Sequence, residues 1–443
     1  MKFTNKVFLV LLLEKVLIPP SCGVSLSDNF DDFGINHAVV DTTFATQLSG
    51  GGGHSCVVDN DNNLKCWGYN KYGQLGDGTT VCKNTPTLIA LGTSVATNAT
   101  QIALGGMHSC AIDNLNKLLC WGANRAGQLG DGTNENKNVP TVISLGHDST
   151  YATQIALGGS HSCSIDSLGN LLCWGSNAYG QLGDGTGHSK NIPTIIPLGG
   201  DATYIDTYPT QIALGNMHSC AIDNLNSLLC WGDNWYGQLG DGTYDERKVP
   251  TVISLGDNAD ATFATKIALG ADHSCTINNK NSLKCWGDNM AGQLGDGTYD
   301  ENRNTPTTIY LGDDDTTYAT HIALGNIHSC AIDNLNELQC WGNNFFGQLG
   351  DGTNNSTNTP TIISVGDNPA SLRVLGLGDN HSCIIDDLNN LLCWGSNYEG
   401  QLGDGTNDSK NTPTSISVAQ ALLDGRADIE ELKKTYLRKA VVQ

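Results

Sequence analysis

The triplet His-Ser-Cys occurs seven times at near-constant intervals, and no other feature of this sequence constrains the fold so strongly. The copies begin at His54, His108, His161, His218, His273, His328 and His381. Successive copies are 54, 53, 57, 55, 55 and 53 residues apart, and each is followed by C-W-G, G-Q-L-G-D-G-T and a Pro-Thr pair. Such a period indicates a structural unit copied along the chain. The 443 residues therefore predict one domain built seven times.

Each unit contains short, strand-like apolar runs. In the second unit these runs are Thr100–Leu104, His108–Ile112, Leu118–Gly122 and Thr141–Leu145, and residues 113–116 read as a hairpin turn. Seven four-stranded antiparallel units can close into a ring, which protects strand edges and buries sheet faces. The sequence therefore predicts an all-β, seven-bladed β-propeller over residues 43–418. Its repeats lie near 43–92, 98–146, 151–199, 207–256, 261–312, 317–366 and 371–418.

The charge balance is strongly acidic. Asp and Glu number 45 against 23 Lys and Arg, which gives a formal net charge of -22. Nucleic-acid binding depends on Lys and Arg that neutralise phosphates. We therefore expect no nucleic-acid partner. The 53 glycines suit a turn-rich β protein better than a helical one.

The repeated string of His, then W-G-x-N-x-x-G-Q-L-G, resembles the regulator of chromosome condensation family of propellers. The resemblance covers about 85% of the chain and recurs in register in all seven units. It implies seven blades, and it implies that the repeated His satisfies backbone groups inside its own blade. The founding type of the family is a nucleotide-exchange factor for a small nuclear GTPase, whereas other members are secreted binding proteins, including a bacterial inhibitor of β-lactamase. The resemblance therefore leaves the function open.

The N-terminal residues are predicted to form a secretory signal. Lys2 and Lys6 give residues 1–22 a basic start, and Val7–Leu13 follow as an apolar run. The alternative is an N-terminus without structure. Residues 23–42 are predicted to be an N-terminal segment that precedes the propeller, and residues 38–48 could complete the last blade. No run approaches 18 apolar residues elsewhere, so we expect no transmembrane helix.

The C-terminal residues differ from the repeats. In residues 419–443, the positions of Ile429, Leu432, Tyr436 and Ala440 predict a short helix with one apolar face, capped by Asp428. This helix either packs on the rim of the propeller or binds a partner.

Fourteen of the sixteen cysteines form seven pairs with identical spacing. The pairs are Cys56 with Cys66, Cys110 with Cys120, Cys163 with Cys173, Cys220 with Cys230, Cys275 with Cys285, Cys330 with Cys340, and Cys383 with Cys393. Each pair brackets the hairpin turn, which places the two cysteines opposite each other and predicts a disulfide. Seven disulfides require an oxidising compartment, so we expect a secreted or extracytoplasmic protein. Zinc is the rival interpretation, but a fourth ligand and a C-x-x-C motif are missing. Cys22 and Cys82 could pair, or Cys22 could leave with the signal.

No set of residues indicates catalysis, a metal or a cofactor. The histidines outside the triplets are scattered, and G-x-S-x-G and phosphate-binding loops are absent. The Asp of G-D-G-T recurs in every unit, so we interpret it as fixing a turn through hydrogen bonds. Residues 59–63 begin like a calcium loop but lack its Gly and Glu, so a hairpin turn explains them better. We predict that the protein is not an enzyme.

Function is expected where the repeats differ. The turn before each His and the N-x-x-G-Q turn lie on one face of the ring, because successive strands alternate in direction. Aromatic and Met side chains on loops are typical of protein-binding sites. The candidate binding residues are Tyr72, Met107, Tyr179, Met217, Trp235, Tyr236, Phe345, Phe346 and Tyr398. The alternative is that these side chains pack between neighbouring blades. Acidic insertions such as residues 257–260 and 313–315 are expected on the opposite face, as solvated loops.

The leading functional hypothesis is a secreted, monomeric, non-catalytic propeller that binds another protein through these variable loops. The alternative implied by the resemblance is guanine-nucleotide exchange on a small GTPase. Exchange requires a protruding wedge, and the repeat lengths of 53–57 residues leave little room for one. A lectin-like or hydrolytic propeller with a site in the central channel is a third hypothesis.

Overall fold

The computed structural model describes residues 43–92, 97–146, 150–198, 207–256, 262–312, 316–365 and 372–418. The described residues form seven antiparallel sheets of four strands, and each sheet consists of four consecutive strands. The predicted signal, Cys22, the acidic insertions and the C-terminal helix lie outside these ranges.

The first strand of each blade lies innermost and contacts the first strands of its neighbours. These strands are β1 (Ala45–Gly50), β5 (Ala99–Leu104), β9 (Ala152–Leu157), β13 (Pro209–Leu214), β17 (Ala264–Leu269), β21 (Ala319–Leu324) and β25 (Leu372–Leu377). The second strand begins at the repeated His and is buried along its length. These strands are β2 (His54–Asp59), β6 (His108–Asp113), β10 (His161–Asp166), β14 (His218–Asp223), β18 (His273–Asn278), β22 (His328–Asp333) and β26 (His381–Asp386).

The third strand ends at the Gly of C-W-G. These strands are β3 (Leu64–Gly68), β7 (Leu118–Gly122), β11 (Leu171–Gly175), β15 (Leu228–Gly232), β19 (Leu283–Gly287), β23 (Leu338–Gly342) and β27 (Leu391–Gly395). The fourth strand forms the outer edge of each blade. These strands are β4 (Lys83–Ile89), β8 (Lys137–Ile143), β12 (Lys190–Ile196), β16 (Arg247–Val252), β20 (Arg303–Ile309), β24 (Thr357–Ile363) and β28 (Lys410–Ile416).

The fourth strand is the one whose bounds were predicted wrongly. In the second unit β8 covers Lys137–Ile143, whereas the sequence placed a strand at 141–145. The strand therefore includes Pro140, which an edge strand tolerates because one row of its N–H groups faces solvent. A register shift between the pairs Cys120–Thr141 and Gly122–Lys137 absorbs the irregularity.

The hydrophobic core is divided among the seven interfaces between blades. One cluster combines Cys56, Val58 and Leu64 of the first blade with Leu119 and Trp121 of the second. The last cluster combines residues of the seventh blade with Val57 and Trp67 of the first. The ring therefore closes by packing, and residues 43–48 do not complete the last blade, because β1 pairs with β2 in the first.

A disulfide joins the second and third strands of every blade. Cys56 lies directly opposite Cys66, with 4.1 Å between their Cα atoms. The other six blades repeat this arrangement, with bridges from Cys110 to Cys120, Cys163 to Cys173, Cys220 to Cys230, Cys275 to Cys285, Cys330 to Cys340, and Cys383 to Cys393. The seven predicted disulfides are therefore present. They use the thiols on which the zinc interpretation depended.

The turn between the second and third strands is a hairpin turn, as predicted. In the first blade Asp59 Oδ1 accepts hydrogen bonds from the Asp61 and Asn63 amides, and Asn62 adopts a left-handed conformation (φ 60°). Antiparallel pairing puts these turns at one end of the ring. The turns between first and second strands, and the loops between third and fourth strands, lie at the other end, which we call the upper face.

Candidate functional site

The upper-face loops between third and fourth strands are held by their own side chains. Asn70 Nδ2 donates hydrogen bonds to the carboxylate of Asp77 and to the carbonyls of Thr79 and Val81, and its Oδ1 accepts from the Leu75 amide. Equivalent bonds recur around the ring, for example from Asn124 and Asn234. Each loop therefore has one well-defined conformation, which fixes the positions of its two variable residues.

The repeated Asp of G-D-G-T holds a turn, as predicted. Asp77 Oδ1 accepts hydrogen bonds from the Thr79 amide and hydroxyl. In six of the seven blades a Lys or Arg of the fourth strand also pairs with this Asp, at N–O distances from 2.6 to 3.8 Å. Thr357 takes that place in the sixth blade.

Each loop also contacts the next blade through the carbonyl of its Gln. The Gln74 carbonyl accepts hydrogen bonds from the Ser109 hydroxyl (2.7 Å) and from Trp121 Nε1 (2.9 Å). Gly76 is required here, because its φ is +81° and a Cβ atom would lie 2.7 Å from Trp121 Nε1. The buried Trp and Ser of one blade thus anchor the loop of the preceding blade.

The repeated histidines form a closed ring of contacts between blades. His54 Nε2 lies 2.9 Å from Ser109 Oγ of the next blade, and the series continues until His381 Nε2 lies 2.8 Å from Ser55 Oγ. The expectation that each His satisfies backbone groups within its blade was wrong, because the Ser of the neighbouring triplet lies within reach. Each Ser hydroxyl donates its hydrogen to a Gln carbonyl. The Ser oxygen is therefore the acceptor in its bond with His, and His Nε2 carries the hydrogen.

All seven histidines are uncharged at neutral pH. Burial, and then repulsion from the neighbouring His108 and His218, lower the pKa of His161 to about 3. The pKa of His381 falls to about 4, also by burial. The Nδ1 atoms of all seven triplet histidines are buried without a hydrogen-bond partner. The ring is a structural element, and it offers no reactive group to solvent.

The central channel opens on the upper face as a shallow mouth of about 470 Å³. Backbone hydrogen bonds between neighbouring turns close its rim, such as Gly52 N to Gly105 O and Asp379 N to Gly51 O. Small residues are needed there: a Cβ atom on Gly105 would lie 2.5 Å from both the Gly158 carbonyl oxygen and His108 Cε1. Asn216, Ala271, Asn326 and Asp379 line part of this mouth.

The two variable residues of each loop differ in exposure. The first residue points outward: the exposed fractions are 76% for Trp235, 71% for Phe345, 64% for Tyr398 and 63% for Met290. The second residue is half-buried in six of the seven blades, as at Tyr72, Tyr236 and Phe346. The exposed first residues are available for binding, whereas the half-buried second residues pack against their surroundings. Each of the two interpretations, binding and packing, thus applies to part of the surface.

Beside this surface, in the fourth and fifth blades, the carboxylate of Asp272 interacts electrostatically with those of Asp233 and Asp288; Asp233 and Asp272 are half-buried, and Asp288 is buried. Burial, and then the charges of Asp233 and Asp288, raise the pKa of Asp272 to about 6. Burial also raises the pKa of Asp233 and of Asp288. We call these three residues the acidic group.

The comparisons with known proteins agree with this geometry. A family model described as the RCC1-like domain matches residues 28–319, and models of the regulator of chromosome condensation repeat match residues 319–348, 375–401, 337–385 and 389–424. The chain belongs to the RCC1-like family. The family that the repeated motif predicted is thereby confirmed.

Relatives within the RCC1-like family differ widely in size. The chain is 28% identical to the ultraviolet-B receptor UVR8 of Arabidopsis thaliana over 373 residues, which cover 84% of this chain and 81% of the receptor. It is 29% identical over 318 residues to the mouse E3 ubiquitin-protein ligase HERC2, which cover 72% of this chain and only 6% of the ligase.

Solved structures of other proteins share the fold. Human WBSCR16 has a TM-score of 0.69 at 20% identity, covering 80% of this chain and 94% of that chain. Prp20p of Saccharomyces cerevisiae has a TM-score of 0.68 at 23% identity, covering 80% and 86%.

On this RCC1-like scaffold, some of the predicted binding residues meet and others do not. Phe346 contacts both Phe345 and Tyr398, with ring centroids 5.0 and 5.9 Å apart, so an aromatic cluster spans the sixth and seventh blades. Tyr72 instead packs against Tyr69. Of the remaining predicted residues, Met107, Tyr179 and Trp235 are exposed, whereas Met217 and Tyr236 are half-buried.

Sequence reasoning missed the acidic group. Asp233 and Asp288 occupy the position before the loop Asn, and Asp272 precedes a triplet His. The sequence does contain a sign of Asp233 and Asp288, since C-W-G-D-N occurs only at 230–234 and 285–289, in adjacent units. Their proximity depends on the neighbouring placement of two blades.

None of the described segments forms an apolar helix long enough to span a membrane. Within the same ranges, no three His, Cys, Asp or Glu residues are arranged to hold a metal ion.

Proposed function

We propose that this RCC1-like protein is a non-catalytic binding protein of an extracellular or extracytoplasmic compartment, and that it engages another protein through its upper face. The observation that carries the proposal is the set of large apolar side chains exposed on rigid loops, from Trp235 in the fourth blade to Tyr398 in the seventh. Exposed aromatic residues are enriched among those that dominate binding energy. Loops that are already ordered lose little entropy on binding.

The compartment is inferred from the disulfides. One lies in every blade, and disulfides persist in oxidising compartments and are rare in the cytosol. Relatives support a binding role in general terms, since the yeast relative Prp20p has binding properties to Gsp1p and histones.

Nucleotide exchange has less support. An exchange factor needs an element that protrudes into the nucleotide site. The loops between third and fourth strands contain 14 residues in six blades and 15 in the fifth, so none of these described loops extends beyond the others. Faster nucleotide release from a small GTPase in the presence of the protein would reverse this ranking.

The test compares the wild-type protein with a variant in which Trp235, Tyr236, Phe345 and Phe346 are replaced by Ala. Proteins captured from the extracellular fraction of the source are identified by quantitative mass spectrometry. We expect the specifically captured protein to be lost from the variant. The matched control is V142T/I195T/V252T. It replaces three exposed apolar residues of the outer strands with Thr, which the fifth blade has at the equivalent position, Thr308.

The control should retain the captured protein. If the aromatic variant retains it as well, the upper face is not the binding surface and the proposal fails. Thermal unfolding of each variant establishes that the propeller remains folded.

A further inference from the structure

The exposed apolar side chains of the upper face are distributed unevenly, and this indicates the chemistry of a partner. The outward loop position holds Trp235, Met290, Phe345 and Tyr398 in the fourth to seventh blades. In the first and second blades the same position holds Lys71 and Arg125. One half of the face is therefore apolar, whereas the other half begins with two cations.

The acidic group lies on the apolar half and next to its largest exposed side chain. Asp233 accepts a hydrogen bond from the Trp235 amide, and Asp288 accepts one from the Met290 amide. The Asp288 amide donates to the Asp272 carbonyl at 2.8 Å, which holds the fifth-blade pair together. A partner that covers Trp235 and Met290 would therefore also cover three carboxylates.

The negative charges of Asp233 and Asp288 are not needed for the fold. Asp233 and Asp288 accept hydrogen bonds from the loop amide and from a Gln side chain. In the sixth blade the neutral Asn343 accepts the same two bonds, from the Phe345 amide and Gln348 Nε2. The carboxylates thus add charge to a position that an amide fills equally well.

No ion pair among the described residues compensates these charges. The nine ion pairs among the described residues serve the G-D-G-T aspartates and a few other acids, and none includes Asp233, Asp272 or Asp288. Burial and mutual repulsion both disfavour the charged form of Asp272. Burial also raises the pKa of Asp379, a carboxylate of the seventh blade that lines the mouth of the central channel. A cation supplied from outside would relieve this repulsion.

We propose that the partner presents a basic segment, whose Arg or Lys side chains dock against Asp233, Asp272 and Asp288 while their stems and neighbouring side chains cover Trp235 and Met290. This inference rests on the proposed function and specifies the chemistry of the partner. A guanidinium group can pair with the carboxylates of the acidic group and stack on the exposed indole of Trp235. The net charge of -22 would speed the encounter with a basic partner. Lys71 and Arg125 would repel the same segment and so direct it to the fourth and fifth blades.

The test uses a fluorescein-labelled peptide of alternating Arg and Gly and the disulfide-bonded full-length protein, with affinity measured by fluorescence anisotropy at several salt concentrations. The variant is D233N/D272N/D288N; at positions 233 and 288 the amide keeps the hydrogen bonds that Asn343 accepts in the sixth blade. We expect its affinity to fall by about tenfold or more. A peptide with Gln in place of Arg should not bind the wild-type protein.

A charge-matched control separates local docking from general attraction to an acidic protein. D61N/E337Q/D387N removes three exposed charges from the hairpin turns of the opposite face. We expect this control to bind the Arg peptide nearly as the wild-type protein does. Equal weakening of the two triple variants, or no binding by the wild-type protein at physiological salt, would overturn the inference.

The two proposals fail separately. If the acidic-group variant binds the Arg peptide normally while the aromatic variant loses its captured protein, only the basic chemistry of the partner is wrong. If the aromatic variant keeps its captured protein, the proposed function itself fails, whatever the peptide does.

Discussion

At the scale of single residues, the repeated His makes the stability of the ring at low pH depend on the contacts between blades. Each His donates to a Ser of the next blade, and that Ser donates to a Gln carbonyl of the blade before it. Such a chain requires a neutral imidazole, because the Nδ1 atom is buried without a partner. A proton added there would be a buried charge with no acceptor nearby.

We therefore predict that stability falls as the pH drops below about 6.5. The pKa of His161 is about 3 in the folded protein, so between that value and the ordinary one the unfolded chain binds more protons, and acid favours unfolding. In this pH range, the substitution His161→Gln should reduce the slope of the free energy of unfolding against pH by about 1.4 kcal/mol per pH unit. Urea unfolding at a series of pH values measures this slope. His188→Gln, on an exposed side chain, is the control, and equal slopes for the two variants would contradict the prediction.

At the scale of the element, the central hairpin of each blade is defined by a turn and a disulfide together. Asp113 accepts hydrogen bonds from the Leu115 and Lys117 amides, and Cys110 is bonded to Cys120 across the two strands. In the chain-entropy model a bridge closing so short a loop contributes about 2–3 kcal/mol. Because one such bridge lies in every blade, this contribution recurs seven times in the oxidised protein.

We predict that protein isolated from its natural source carries these seven bridges. Alkylation under denaturing conditions without a reductant should leave the fourteen paired cysteines unmodified, and alkylation after reduction should modify all of them, as read by intact mass. The same spectrum reports the mature N-terminus. Fourteen alkylated cysteines without reduction would place the protein in a reducing compartment, and nucleotide exchange would then be tested first.

At the scale of the whole molecule, the closure of the ring depends on contacts between blades and is not determined by any single blade. The first and seventh blades meet without exchanging a strand. At this interface Lys65 is fully buried, and its Nζ lies 2.9 Å from Asp59 Oδ2 and 3.2 Å from the Val418 carbonyl oxygen. Lys65 thereby links the first blade to the end of the seventh.

We predict that Lys65→Met destabilises the protein by about 3–5 kcal/mol, because it leaves the Asp59 charge and the Val418 carbonyl without their cation. Urea unfolding measures this change, and hydrogen exchange should show faster opening of β1 and β28. Lys284→Met is the matched control at the equivalent position of the fifth blade, where the half-buried ammonium contacts Thr308 of its own blade. Similar stability of the two variants would mean that Lys65 does not hold the ring closed.

Most of the fold, but less of the candidate site, was predictable from sequence. The position of Cys56 opposite Cys66 follows from a spacing of ten residues around one turn, and hydrogen bonds within residues 59–63 set that turn. Exposure of Trp235 and half-burial of Tyr236 did not follow, because two adjacent loop residues look alike until the loop conformation is known. The acidic group was missed because Asp233 and Asp272 are 39 residues apart in the sequence.

By itself, the sequence determined the number of blades, the number of strands in each blade, the hairpin turns and the disulfide pairs. These features depend on contacts within one unit, and identical spacing in seven units leaves little choice. Only the tertiary structure decided the contacts between blades: the bond from His54 to Ser109, the closure at Lys65 and the meeting of three carboxylates. Those contacts join residues from about 39 to 353 positions apart, which come together only when the blades pack side by side and the ring closes.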